Sequence, residues 1–487
     1  MTTQAKFVQG STMRHILVMT GSGSIGLMAL FIVDLLDMLF ISMLGQVELA
    51  AAVGFAGTLL FFATSVSIGT SIAMGALVSK AIGSDEVKHA RDLSASIMVV
   101  AFIISTFFTA LMMIYMPELL ASVGAKGVAA ERAAAYLNIL LPSTPLLAVG
   151  MAAGAGLRAA GDAKRSMWAT LIGGIVNAIL DPLFIFGFGW NVEGAAWASL
   201  IARIAVLVTS LYPLVKKHNL VAVPNFAVII TNLRDILKIA VPAVVTNTAT
   251  PIGNAIVTAG IAQFGEDYVA GFSVIGRLTP VCFGVIFALS GAVGPIIGQN
   301  FGANRLDRVE ETLKDSLIVT TIYTIAVCVI LYFLQEYVVS IFSLTGDAAT
   351  IVLAFCTYVA ITFVFNGTLF VANTSFNNLG KPLYSTALNM GKATVGTLPF
   401  VHFGALWFGA LGVLYGQAVG NIVFGLIALV VARKHIKDLV HGSEVELDEE
   451  DPSMTCVNTQ PFCSHDAVMI EEVSKGEQLV ETAKASN

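Results

Sequence analysis

The chain of 487 residues is 56% hydrophobic and only 12% charged, with a formal net charge of −6 and a mean hydropathy of +0.83. A soluble domain carries about 25% charged residues, so half the charge an aqueous surface needs is missing, which excludes a soluble enzyme, a disordered chain and a nucleic-acid binder. A transmembrane barrel would show weak alternation instead of long apolar runs, leaving a polytopic helical membrane protein.

Lys6 and Arg14 precede an apolar stretch reaching about Leu44, too long for the apolar core of a cleavable signal and read as the first span. Apolar windows of about 20 residues then place spans near 15–43, 50–79, 93–116, 130–152, 166–188 and 194–214. A second set follows near 236–262, 270–297, 316–334, 350–373, 384–406 and 411–432. Twelve spans put both termini on one side. Residues 1–14 form an N-terminal segment, 15–216 a first lobe, 217–235 a linker, 236–435 a second lobe and 436–487 a polar, acidic tail expected to lack structure. The five cysteines imply no disulfide framework. Cys456, Cys463 and His465 in the tail match no standard metal spacing.

Lysine and arginine crowd one set of loops: Lys80, Lys88 and Arg91, then Arg158, Lys164 and Arg165, then Lys216, Lys217, Arg234 and Lys238. Arg305, Arg308, Lys314, Lys381, Arg433, Lys434 and Lys437 follow on the same side, against Lys126 and Arg132 on the other. The rich side, with both termini, is expected to be cytoplasmic.

The halves echo each other at an offset of 219 residues. GALVSKAIGSDEVKHAR from Gly75 matches GPIIGQNFGANRLDRVE from Gly294, and Gly161 in GLRAAGDAKRSM matches Gly380 in SFNNLGKPLYST. Six spans separate equivalent points, so the repeats share one orientation. Two six-helix bundles related by a pseudo-two-fold along the membrane normal are expected, a geometry suited to alternating access. No phosphate-binding G-x-x-x-x-G-K-[ST] loop occurs, so a secondary transporter is expected rather than an ATPase or other enzyme.

A charge inside a span costs about 2.5–3.5 kcal/mol on insertion scales, which makes the embedded acids informative. Asp34 and Asp37 lie in the first span and Asp181 in the fifth, at one depth, with Ser199 at a similar depth in the sixth. Asn177 and Asp181 stand one helical turn apart and face the same way. Pro182 removes a backbone donor and crowds the preceding turn, so a hinge is expected there. Two aspartates close together in low dielectric cannot both stay charged unless a proton or a cation such as Na⁺ joins them. The plainer alternative is a polar cluster that only glues helices. The second lobe carries only Thr, Asn and Ser in the corresponding spans. Its notable charge is Lys392 in the eleventh, with a gating or purely structural role.

The runs VDLLDMLFISMLGQVELAAAVGF, GLRAAGDAKRSMWATLIGGIVNAILDPLFIFGFG, VEGAAWASLIARI and GQNFGANRLDRVEETL closely resemble the multidrug and toxic compound extrusion (MATE) family over roughly residues 15–435. The resemblance implies twelve helices in two bundles that export organic cations and amphipathic drugs in exchange for H⁺ or Na⁺, with no resident cofactor. It implies coupling by Asp37, Asn177, Asp181 and Ser199, the last where the family often has Thr, with Na⁺ possible at Asp37, Asp181 and Asn177. Asp34 is an addition to that pattern. The missing second-lobe acids and Lys392 resemble the DinF-like branch.

The expectation is a monomeric multi-pass antiporter of the plasma membrane, or the inner membrane of a Gram-negative cell, acting on small molecules within the bilayer. A lipid-linked glycan flippase of the same superfamily is the alternative, though its phosphate would call for a cationic cleft. A receptor acting through the tail is the third reading.

Overall fold

The structure, a computed structural model, describes residues 4–44 and 47–449. They form helices α1 (Thr12–Ser42), α2 (Val47–Gly83), α3 (Val87–Ile114), α4 (Met116–Ser122), α5 (Gly127–Leu140), α6 (Thr144–Ala159), α7 (Ala163–Pro182) and α8 (Asn191–Lys216). The series continues with α9 (Phe226–Ala262), α10 (Glu266–Gly302), α11 (Leu306–Ile341), α12 (Gly346–Ala354), α13 (Phe363–Asn378), α14 (Pro382–Ala393) and α15 (Leu398–Glu449). No strand occurs among the described residues. The bilayer explains why: every backbone donor and acceptor must be satisfied within its own segment.

Ten stretches are long and apolar enough to cross a membrane. The 37-residue α9 adds another crossing-length helix, diluted in apolarity by Asn247, Pro251 and Asn254. The stretch from Pro382 folds back at Gly409 (φ 61°, ψ −140°), a conformation only glycine adopts readily. That reversal splits it into two and brings the count to twelve. The two arms then pack so closely that a Cβ on Gly404 would meet the Gly412 carbonyl, the small-residue contact that membrane helices favour.

Residues up to Ala432 form one compact unit. The separate unit from Arg433 is helical as far as Glu449, so the first part of the expected 436–487 tail is ordered. The rest of it, with Cys456, Cys463 and His465, lies outside the described residues. The expected 217–235 linker is also shorter, because α9 already begins at Phe226, capped by Asn225, whose side chain accepts from the Ala227 amide at 3.0 Å.

The 219-residue repeat is written in the backbone. The 3-10 breaks Leu141–Ser143 and Ala360–Thr362 occupy equivalent positions, and so do the helices that follow them, α6 and α13. Left-handed residues recur at the same offset: Asp85 with Asn304, Gly127 with Gly346, and Gly161 with Gly380. At the seam the two halves meet reciprocally. A Cβ on Gly83 would strike the Gln299 backbone and one on Gly302 the Lys80 backbone, and Lys80 is the equivalent of Gln299. A reciprocal contact of this kind marks a two-fold axis, here passing between α2 and α10.

The N-terminal segment closes this end of the bundle. Phe7 is 3% exposed; its amide donates to Gln299 Oε1 at 2.9 Å. Its carbonyl accepts from Arg308 Nη2 at 2.9 Å and from Asn300 Nδ2 at 3.2 Å. Gln299 Nε2 in turn donates to the Ala159 carbonyl at 2.7 Å. Both halves are thereby tied to one buried ring.

Candidate functional site

Helix α7 starts where the Asp162 side chain accepts from the Arg165 amide at 3.3 Å and ends at Pro182. Beyond it the chain winds as a π-helix over Leu183–Gly187. Where a hinge was expected, the helix changes register, for which the missing proline donor is the cause. In the last turn before Pro182, Asn177 and Asp181 project together toward α1 and α8.

Asn177 organises the cluster. Its Nδ2 donates to Asp181 Oδ2 at 2.6 Å and to Asp37 Oδ1 at 3.2 Å, while its Oδ1 accepts from Ser199 Oγ at 3.3 Å. Both amide protons and an acceptor lone pair are therefore in use. The Asp37 and Asp181 carboxyl groups lie side by side. Asp181 is fully buried, and its Oδ1 receives no hydrogen bond. Leaving a buried acceptor unpaired costs about 1–3 kcal/mol, and more for a charged group. A proton on one carboxyl, or a small cation, would repair that deficit.

Four of the expected residues, Asp37, Asn177, Asp181 and Ser199, are brought together. Asp34 is not: it is exposed on α1 and stands outside the hydrogen-bonded set. Two neighbours were not anticipated. Tyr136 of α5, 8% exposed, lies beside Ser199 and faces the same carboxylates. Arg203, one turn beyond Ser199, donates from Nη1 to the Leu140 carbonyl at 3.1 Å and to Ser143 Oγ at 2.9 Å, bracing the break between α5 and α6. An aromatic and a basic residue four positions after Ser199 were the available signals, and neither stands out by spacing alone.

The second half has no counterpart. The equivalents of Asn177, Asp181 and Ser199 are Gly396, Phe400 and Ala418, and the helix is interrupted at 394–397 between α14 and α15. Lys392, half-buried just before that interruption, donates from Nζ to Asn366 Oδ1 at 2.7 Å, a bond from α14 to α13. Among the described residues no group of three or more His, Cys, Asp or Glu is placed to hold a metal.

The MatE family model matches residues 24–183 and again 242–401. The chain belongs to the MatE family. The two matched stretches are equal in length and begin within a residue of the repeat offset, and the first contains Asp37, Asn177, Asp181 and Pro182. MatE members are transporters rather than enzymes, and this chain is a polytopic membrane transporter. It is 27% identical over 427 residues to the FAD transporter of Shewanella oneidensis, covering 86% of this chain and 94% of that protein. It is 23% identical over 413 residues to the multidrug export protein MepA of Staphylococcus aureus, covering 84% and 90%. Its fold matches that of an outward-facing multidrug resistance MATE family transporter of the MOP superfamily, with a TM-score of 0.84, 22% identity and coverage of 90% and 99%. It likewise matches the Vibrio cholerae MATE transporter VcmN in the bent form, with a TM-score of 0.82, 22% identity and coverage of 88% and 98%.

Proposed function

We propose that this chain is a cation-coupled antiporter that exports small amphipathic molecules, organic cations among them, by alternating access across a plasma membrane. Both termini and the Phe7 seam face the cytoplasm in this reading, as the lysine and arginine distribution requires. The observation that carries it is the buried, undonated Oδ1 of Asp181 beside Asp37. The coupling ion is H⁺: Asn177 already turns N–H donors toward both carboxylates, which suits a shared proton better than an oxygen cage for Na⁺. Uptake of the ion from outside removes the repulsion between the carboxylates and lets α1 and α7 re-pack about Pro182, releasing cargo. A potential of 100 mV supplies about 2.3 kcal/mol per charge, enough for roughly a fifty-fold gradient.

Relatives of this chain include both a multidrug exporter and an FAD transporter, so the proposed cargo range extends to anionic amphiphiles. A glycan flippase is disfavoured because the hydrogen-bonded cluster embedded in the first half is built on two carboxyl groups, Asp37 and Asp181. The test is efflux of a fluorescent organic cation from cells expressing the protein. Asp37→Asn and Asp181→Asn should each abolish it, and undiminished efflux in both variants refutes the proposal.

A further inference from the structure

Arg203 stands halfway along the 26-residue spanning helix α8, a depth at which a charge is kept only at a cost. No carboxylate forms an ion pair with it among the described residues. Its guanidinium reaches instead to the 3-10 break between α5 and α6, where Nη1 donates to the Leu140 carbonyl and to Ser143 Oγ. Nε and Nη2 donate to nothing among the described residues.

The break does not need that charge. Ser143 Oγ already donates to the Leu140 carbonyl at 2.7 Å. The second half builds its own break in the same way, with Thr362 Oγ1 donating to the Val359 carbonyl at 2.7 Å. No lysine or arginine reaches that carbonyl among the described residues, and α15 carries neither before Arg433. The aromatic residue one turn ahead of the break differs as well: Tyr136 in the first half is answered by Phe355 in the second, a ring without the hydroxyl.

What the first half has and the second lacks is the carboxyl cluster, and Arg203 is placed toward it. Ser199 and Arg203 stand one turn apart on one face of α8, as Tyr136 and Leu140 do on α5. The two faces meet. Tyr136 lies beside Ser199, within electrostatic reach of Arg203 and of both Asp37 and Asp181. Ser199 in turn holds Asn177, which donates to both carboxyl groups. Asp34 stands near Asp37; the other charged residues of α1 and of α5 to α8 lie toward the ends of their helices.

We propose that Arg203 is a positioning residue for ion coupling, a fixed counter-charge that makes the ion-free carboxyl pair tenable and ties the state of that pair to the α5–α6 break. With the pair empty and anionic, the unused donors of the guanidinium turn toward Tyr136 and the acids. With the pair occupied that attraction is gone, and the fork settles on Leu140 and Ser143. An arginine suits both states, because its planar fork holds two acceptors while its charge persists. The inference rests on the antiporter reading above and adds what lets the ion leave.

The test is ethidium transport by the full-length protein in proteoliposomes, at fixed membrane potential, followed against proton concentration on the side from which the ion enters. Arg203→Gln should half-saturate at a proton concentration at least about tenfold lower than the parent, since the acids no longer share their field with a cation. Its maximal rate should fall severalfold, because release slows. Arg203→Lys should keep the parental half-saturation and lose rate alone, its ammonium supplying the charge without the fork. Should Arg203→Gln fail to fold, Arg203→Met gives the same readout with an apolar stem in place of the unpaired charge. A mere brace predicts lower rates at the parental half-saturation in every variant. That result, or a lysine variant shifted as far as the glutamine one, overturns the inference and spares the antiporter. Parental transport that ignores the proton gradient overturns the antiporter reading itself, and this inference with it.

Discussion

Gly83 and Gly302 occupy equivalent places in the two repeats, and each presses its bare Cα against the backbone of the other repeat's helix. A methyl at either position meets rigid backbone, not a side chain that can swing aside. Overpacking of this kind costs about 1–3 kcal/mol. Gly83→Ala and Gly302→Ala should therefore each weaken the closed seam by a similar amount, lowering the thermal midpoint. A cysteine introduced at Ser71, which lines a cavity between the halves, should become more reactive to a water-soluble thiol reagent. Unchanged melting and labelling would show that the seam has room to spare.

The Phe7 side chain should behave as a latch across the same seam. Its backbone is held by Gln299, Asn300 and Arg308 from the second half, while Lys6 Nζ reaches the Gly161 carbonyl of the first at 3.4 Å. Removing a buried phenyl ring costs about 3–5 kcal/mol in a core. Phe7→Ala should raise labelling at position 71 more than either glycine variant, and Gln299→Leu should do so to a lesser degree. Labelling equal to the parent in both would dismiss the latch.

The twelve spans and the repeat were legible because lipid demands long apolar helices and because glycine and charged-loop signatures survive in both halves. The hydrogen-bonded cluster was legible as a group of neighbours: Asn177 and Asp181 share a face by spacing, and depth places Asp37 and Ser199 beside them. Asp34 shows where such reasoning stops. The first span has no amphipathic stripe to tell which face meets α7, and Asp34 stays outside the hydrogen-bonded set while remaining near enough to Asp37 to feel its charge. The Phe7 latch was hidden for the opposite reason, since a short polar segment reads as solvated until its partners are seen.

Outside the membrane, the loop between α6 and α7 offers a pH test. Burial alone would push the Asp162 carboxyl up, but hydrogen bonds from His218, at 2.8 Å, and from Arg165 outweigh it and hold the group below the usual carboxylate range. A folded-state value below the unfolded one stabilises the protein above about pH 4, and the gain disappears as pH falls through the folded value. Asp162→Asn should melt at a lower temperature than the parent at pH 7 and pH 5. The gap should narrow below about pH 4. A gap that stays constant down to the acid limit would contradict this.

Tyr136 offers a finer probe of the cluster. Its hydroxyl adjoins Ser199, which holds the Asn177 carbonyl oxygen, so Tyr136→Phe should perturb coupling without emptying the site. Gradient-driven efflux should fall severalfold while cargo binding in the absence of a gradient is retained. Equal loss of both would assign Tyr136 to packing instead.

The central claim is that protonation of the Asp37–Asp181 pair drives transport. Its most direct measurement is uptake of a fluorescent cation into proteoliposomes under an imposed ΔpH and, separately, an imposed ΔNa⁺, at matched membrane potential. Transport should follow ΔpH alone in the wild type and vanish in Asp37→Asn and Asp181→Asn. Transport that follows ΔNa⁺, or that persists under ΔpH in both variants, would contradict it.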